Sequence, residues 1–117
     1  MPRTTTRPPE PRTPFGPKAF VLLVSYTAPL DRVDALLDAH RTWLDARFAE
    51  GTFLVSGPQV PRVGGTILAT AASRRQVDDL VASDPLVSGG VANYRVVEFI
   101  PNRGPWAAST PRTGPES

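Results

Sequence analysis

The sequence predicts a single α+β domain whose strands and helices follow the order β-α-β-β-α-β. Two observations carry this prediction. Apolar residues recur with a helical period over residues 31–50, and short runs of β-branched and aromatic residues lie on both sides of that segment. A chain of 117 residues with 40% hydrophobic content is long enough to bury a core as one domain.

The four strands are predicted from short apolar runs that end near turn residues. They cover residues 19–27, 52–56, 65–71 and 91–100. Gly57 and Pro58 end the second strand, because proline cannot donate a hydrogen bond to a sheet ladder. The short connection between the second and third strands favours an antiparallel pair.

The two helices are predicted from their end signals. The first follows Pro29 and stops at Gly51, which suits the position after a helix C-terminus. The second begins at Ser73, where Gln76 completes a capping box. It stops before the Asp-Pro pair at residues 84–85, since a residue that precedes proline is disfavoured in a helix.

This order is that of a ferredoxin-like domain, which has an antiparallel sheet with both helices on one face. The first and fourth strands carry apolar residues on both of their faces. Two helices cover one face only, so a second copy of the chain is predicted to cover the other. We therefore expect a homodimer or a larger ring.

The positive charge of the chain lies in its proline-rich ends. The net charge is +2, yet residues 20–102 hold seven arginines against nine acidic residues. We interpret residues 1–18 as a disordered arm, residues 19–102 as the folded domain and residues 103–117 as a flexible tail. A net-negative domain whose third strand has no aromatic residue does not fit an RNA-binding sheet, so nucleic acid is not an expected partner.

Composition removes several other classes of function. The chain has no cysteine and one histidine, which excludes disulfides, thiolate catalysis and a multi-histidine metal site in one protomer. It carries no cofactor motif, so we expect neither a metal nor a cofactor. It also lacks the run of about 20 apolar residues that a membrane helix needs and the apolar core of a signal peptide. We therefore expect a cytoplasmic protein without a membrane partner.

His40 is the candidate for proton-transfer chemistry. It lies in the middle of the apolar stripe of the first predicted helix, between Leu37 and Trp43, and so faces the interior. An imidazole takes and returns protons near neutral pH. A lone histidine on an apolar face is more often a core residue, and the pattern alone leaves both interpretations open.

Four segments of the chain resemble the YciI-like (YCII-related) family of the dimeric α+β barrel superfamily. They are FVLLVSYTAPL, HRTWLDARFAEGTFLVSGPQVPRVGG, the Asp-Pro of SDPLVSGGV, and YRVVEFIP. The resemblance covers about residues 20–106 and implies a ferredoxin-like, dimeric domain with a site centred on His40 and Asp84. It also implies lyase or isomerase chemistry on small cyclic compounds, as in the relatives that act as a dehydrochlorinase or as muconolactone isomerases.

Asp84 has two interpretations. It can orient the imidazole and stabilise its cation, or it can cap a short turn that begins at Pro85. One residue is able to do both.

The remaining candidates are predicted to bind a small-molecule ligand of unknown identity. Ser56, Gly57 and Pro58 end a strand, where glycine permits close approach and serine offers a hydroxyl; a plain turn is the alternative. Tyr26 is expected near the cavity. Arg41 falls on the polar face of its helix and is interpreted as a solvated ion-pair partner. A non-catalytic binding or interaction module remains the alternative to an enzyme.

Overall fold

The computed structural model describes residue 15 and residues 18–107. Within this part of the chain the strands are β1 (Lys18–Tyr26), β2 (Phe53–Pro58), β3 (Gly64–Ala71) and β4 (Ala92–Phe99). The helices are α1 (Leu30–Asp34), α2 (Leu37–Ala49), α3 (Arg74–Ala82) and α4 (Pro85–Ser88). Most of the predicted arm and residues 108–117 of the predicted tail lie outside the described residues.

The four strands form one antiparallel sheet in the order β2-β3-β1-β4. This order, with helices after β1 and after β3, confirms the predicted α+β, ferredoxin-like fold. Strand β1 is central, and its Val24 lies opposite Gly65 on one side and Tyr94 on the other. The end of β1 therefore brings residues from both halves of the chain to one place.

Gly64 allows β3 to approach β1 closely. A Cβ atom at this position would lie 1.7 Å from the carbonyl oxygen of Val24, a distance that no side chain can accept. Next to it, the Tyr26 amide donates a 2.9 Å hydrogen bond to the Val63 carbonyl. The loop between β2 and β3 is thereby held against the end of β1.

The core lies between the sheet and the helices. Phe20, Leu22 and Val24 of β1 are at most 3% exposed, and burial of each such side chain contributes about 1.5–3 kcal/mol of hydrophobic free energy. Each helix adds one fully or nearly buried apolar side chain: Val33 from α1, Trp43 from α2, Val77 from α3 and Leu86 from α4. Each helix is thus anchored to the core by at least one apolar side chain.

The first predicted helix is divided into α1 and α2. The Leu36 amide donates to the Val33 carbonyl, three residues back, while Leu36 itself has φ −108° and ψ 2°. An i→i−3 bond tightens the turn. Phe48, at the end of the predicted stripe, is 37% exposed.

The sheet face away from the helices is apolar and partly exposed. Val21, Leu23, Leu68 and Val97 lie on it as neighbours across three strands. At its edge the ring of Phe15 contacts Phe99 edge-on, with 5.9 Å between ring centroids. In addition, none of the described helices is long and apolar enough to cross a membrane.

Candidate functional site

A cavity of about 620 Å³ opens between the sheet and α2. Its floor is apolar and is formed by Val24, Leu37, Leu44, Ile67 and Leu86. This volume lies within the range of about 300–1,000 Å³ that is common for small-molecule sites. An apolar floor of this size suits a small ring or a short aliphatic compound.

His40 extends from α2 into this cavity. Its side chain is 14% exposed, and its Nδ1 atom lies 2.8 Å from Oδ1 of Asp84. The ring stacks on Trp43, with 5.8 Å between centroids and an interplanar angle of 25°. Trp43 is held in turn, because its Nε1 donates to Oγ of Ser83 at 2.8 Å. The imidazole is therefore fixed by a carboxylate at one edge and by an indole on one face.

Asp84 is buried, with none of its side chain exposed. It caps α4 by accepting a 2.9 Å hydrogen bond from the Leu86 amide, and it accepts a 2.5 Å hydrogen bond from the Tyr94 hydroxyl. An ionised carboxylate can only accept hydrogen bonds. With Asp84 in this form, Nδ1 of His40 donates the hydrogen bond and the lone pair lies on Nε2.

Tyr94 completes the hydrogen-bond network, and sequence reasoning missed it. It lies on β4 opposite Val24, on the face that the helices cover. Burial, reinforced by the negative charge of Asp84, raises the pKa of Tyr94 well above its ordinary value, so its hydroxyl stays protonated and donates. The position of Tyr94 in the sequence could have indicated this role. Tyr94 alternates with the polar Arg95 along the strand and therefore faces the opposite side of the sheet, and a buried tyrosine hydroxyl normally needs a hydrogen-bond partner.

The raised pKa of Tyr94 predicts a pH-dependent stability. The unfolded chain releases the tyrosine proton above about pH 10, whereas the folded chain retains it. The contribution of the Tyr94 hydroxyl to stability is therefore complete below about pH 10 and is lost as the pH rises further. Tyr94→Phe should be less stable than wild type by about 1 kcal/mol at pH 8, and this difference should narrow between about pH 10 and 11. Urea unfolding at each pH measures it.

Tyr26→Phe provides the control for this experiment, because the Tyr26 hydroxyl makes no hydrogen bond to Asp84. As the pH rises, the stability of Tyr26→Phe should fall in parallel with that of wild type. A difference between wild type and Tyr94→Phe that stays constant up to pH 11 would contradict the assigned role of the Tyr94 hydroxyl.

The other predicted site residues line the same cavity. Ser56, Gly57 and Pro58 of β2 form one wall, and Tyr26 lies at the end of β1. Ser56 pairs with Ile67 of β3, which places it on the cavity side of the strand. Asp84 is not part of the wall; it lies behind His40 and reaches the cavity through the ring.

Two arginines at the cavity differ in their partners. Arg62, from the loop between β2 and β3, forms a 2.5 Å ion pair with Asp34 of α1 and lies 5.7 Å from the centre of the Tyr26 ring. Arg41 lines the cavity beside His40 and has a looser partner, Asp38, at 3.6 Å. Sequence reasoning did not consider Arg62, which reaches the cavity because the loop folds back over β1.

Metal ligands are not clustered in the described part of the chain. Residue 15 and residues 18–107 contain no group of three or more histidine, cysteine, aspartate or glutamate side chains that could hold a metal ion. An imidazole that a buried carboxylate orients is chemically able to transfer protons.

These features define a small α+β domain with a histidine–carboxylate pair beside a cavity between its sheet and α2. The chain belongs to the YCII-related domain family, whose family model matches residues 19–100. The match confirms the resemblance seen in the sequence. No curated protein is recognisably similar to the chain in sequence.

A solved structure with a similar fold is a 5-chloro-2-hydroxyhydroquinone dehydrochlorinase. It comes from Burkholderia phenoliruptrix AC1100 and was solved in complex with 2,5-dihydroxybenzoquinone. The similarity has a TM-score of 0.59 and 20% sequence identity, and it covers 69% of this chain and 92% of that chain. At this identity the similarity demonstrates a shared fold.

Proposed function

We propose that this protein is an enzyme, a lyase or isomerase of small cyclic compounds, in which His40 and Asp84 act as an acid–base pair. One observation carries the proposal. A histidine in the wall of a cavity forms a 2.8 Å hydrogen bond through Nδ1 to a carboxylate that is fully buried. This is the arrangement that holds an imidazole ready to accept a proton on its other nitrogen.

The chemistry follows from the assigned tautomer. With Nδ1 bonded to Asp84, the Nε2 lone pair takes a proton from the substrate, and the carboxylate stabilises the resulting imidazolium. An isomerase returns the same proton to another atom of the substrate. In a lyase, the electron pair of the bond that loses the proton forms a double bond as the leaving group departs with its own electron pair, and the imidazolium then releases its proton to the leaving group or to water. Both reactions therefore need one group that accepts a proton and later releases it.

Turnover of a chlorinated hydroxyhydroquinone is the direct test. The proposed substrate class follows that of the structurally similar dehydrochlorinase, and the apolar floor of the cavity fits a single ring. Incubation with 5-chloro-2-hydroxyhydroquinone should release chloride and produce a quinone absorbance, and muconolactone provides the test for isomerisation. If such compounds bind in the cavity and none is converted, the protein is a non-catalytic binding module instead.

We also propose that the protein is a homodimer that buries the sheet face opposite the helices. The support is the partly exposed apolar surface of Val21, Leu23, Leu68 and Val97, which in one chain alone stays in contact with water. Sedimentation at micromolar concentration should show a dimer. Leu23→Asp should dissociate it, because the charge would be buried without a partner.

Ala39→Asp is the matched control for the dimer, since Ala39 is exposed on α2 and the same charge there should leave the dimer intact. A wild-type monomer at micromolar concentration would contradict the proposal.

A further inference from the structure

Of the two arginines in the cavity wall, Arg62 has a structural role. Its Nη2 atom lies 2.5 Å from Oδ1 of Asp34, and its guanidinium stands over the ring of Tyr26. The hydrogen bond to Asp34 is the main reason that the pKa of Arg62 is raised. The charge of Arg62 is thus used to fasten the loop between β2 and β3 to α1 and β1.

Arg41 has a charge that is much less engaged. Its partner Asp38 is 3.6 Å away, its own side chain is 66% exposed, and that of Asp38 is fully exposed at 103%. Ion pairs between such exposed groups contribute little, about 0–1 kcal/mol, because water competes for both partners. Arg41 can therefore exchange Asp38 for another anion at small cost.

The position of Arg41 allows its charge to interact with a ligand in the cavity. It follows His40 directly in α2, and both side chains line the same cavity. The floor beneath them is apolar. Asp34, the one carboxylate among the described residues of the wall, is already paired with Arg62. A cyclic anion that entered the cavity could pair with Arg41 while its ring packed on the apolar floor.

We infer that Arg41 is a specificity-determining residue that binds a carboxylate, so that this site takes small cyclic carboxylates in preference to neutral rings of the same shape. A guanidinium presents two parallel N–H donors that match the two oxygens of a carboxylate, and such charge-assisted pairs are stronger than neutral hydrogen bonds. The anchored carboxylate would hold the ring at the mouth of the cavity next to His40. This inference rests on the proposed function only in taking the cavity as a small-molecule site.

Binding of two probes of equal shape and different charge tests the inference. Isothermal titration calorimetry should show that wild type binds 2,5-dihydroxybenzoate about tenfold more tightly than the neutral 2,5-dihydroxybenzamide. Arg41→Gln should abolish this preference, and Arg41→Lys should retain part of it as a point charge. The preference should also shrink at high salt, because the site is partly exposed.

Arg74→Gln is the matched control. Arg74 is a half-exposed helical arginine with its own ion pair, to Asp78 at 2.9 Å, and it does not line the cavity. Its removal lowers the net charge of the protein by the same amount and should leave the preference unchanged. An equal loss in both variants would overturn the inference, because it would reduce the effect to overall charge.

The outcome of the Arg41 binding test can be distinguished from the outcome of the test for enzyme activity. His40→Gln should keep the preference for the benzoate even where it stops turnover, since Arg41 remains. Equal affinity of wild type for the two probes, an unchanged preference in Arg41→Gln, or no binding of either probe would each overturn the role of Arg41. Conversion of neutral substrates in the same protein would leave the proposed lyase or isomerase activity standing.

Discussion

Replacement of His40 by glutamine is expected to lower kcat by roughly a hundredfold to ten-thousandfold for whichever compound the wild type converts. Glutamine is close to histidine in size and retains a hydrogen-bonding group near Asp84. It does not exchange protons near neutral pH, so the step that the Nε2 atom performs is lost. Steady-state kinetics measures the fall, and circular dichroism and ligand affinity should remain close to those of wild type.

Ala39→Gln is the control for this variant, because it places the same side chain on the exposed side of the same helix. Its kcat should equal that of wild type. A kcat for His40→Gln within a few fold of wild type would assign His40 to the core as a packing residue, and the cavity would then function as a binding site.

Local signals in the sequence were sufficient to place the four strands and most helix ends. The predicted end of the second strand at Gly57 and Pro58 was wrong: β2 continues through both residues, because it lies at the edge of the sheet, where proline is tolerated. The predicted N-cap at Ser73 is confirmed, since its hydroxyl accepts from the Gln76 amide at 3.1 Å. The Gln76 side chain reaches back to the amide of Ala72, one residue before the one that a capping box uses. Asp84 likewise caps α4 through Leu86, as an Asp-Pro pair favours. These features depend on neighbours in sequence, which is why a sequence pattern indicates them.

The network around Asp84 depends on contacts that are distant in sequence. Tyr94 reaches Asp84 because the register of β4 on β1 places it beneath the start of α4, and no local pattern encodes that register. The break at Leu36 is likewise not signalled in the sequence, since an apolar period of 3.6 residues continues through it. Arg41 is exposed, as its place on the polar face predicts, yet its long side chain also reaches the cavity mouth.

Replacement of Asp84 by alanine should cause the largest loss of stability at the site. It leaves the Tyr94 hydroxyl, the Leu86 amide and Nδ1 of His40 without their acceptor, a carboxylate that has no exposure to water. Each buried donor without a partner costs about 1–3 kcal/mol, so the free energy of unfolding should fall by about 3 kcal/mol or more. Urea denaturation measures this fall. Asp79→Ala, at an exposed position of α3, should change the value by less than about 0.5 kcal/mol.

Asp84→Asn separates the charge of Asp84 from its hydrogen bonds. The amide oxygen of asparagine can still accept from the Leu86 amide and from Nδ1 of His40, and its amide group can donate to the Tyr94 oxygen. The loss of stability should therefore be smaller than in Asp84→Ala, whereas kcat should still fall more than tenfold, because the imidazolium formed during turnover loses its counter-ion. A variant that keeps wild-type kcat would show that Asp84 serves α4 as a cap and not His40 as a partner.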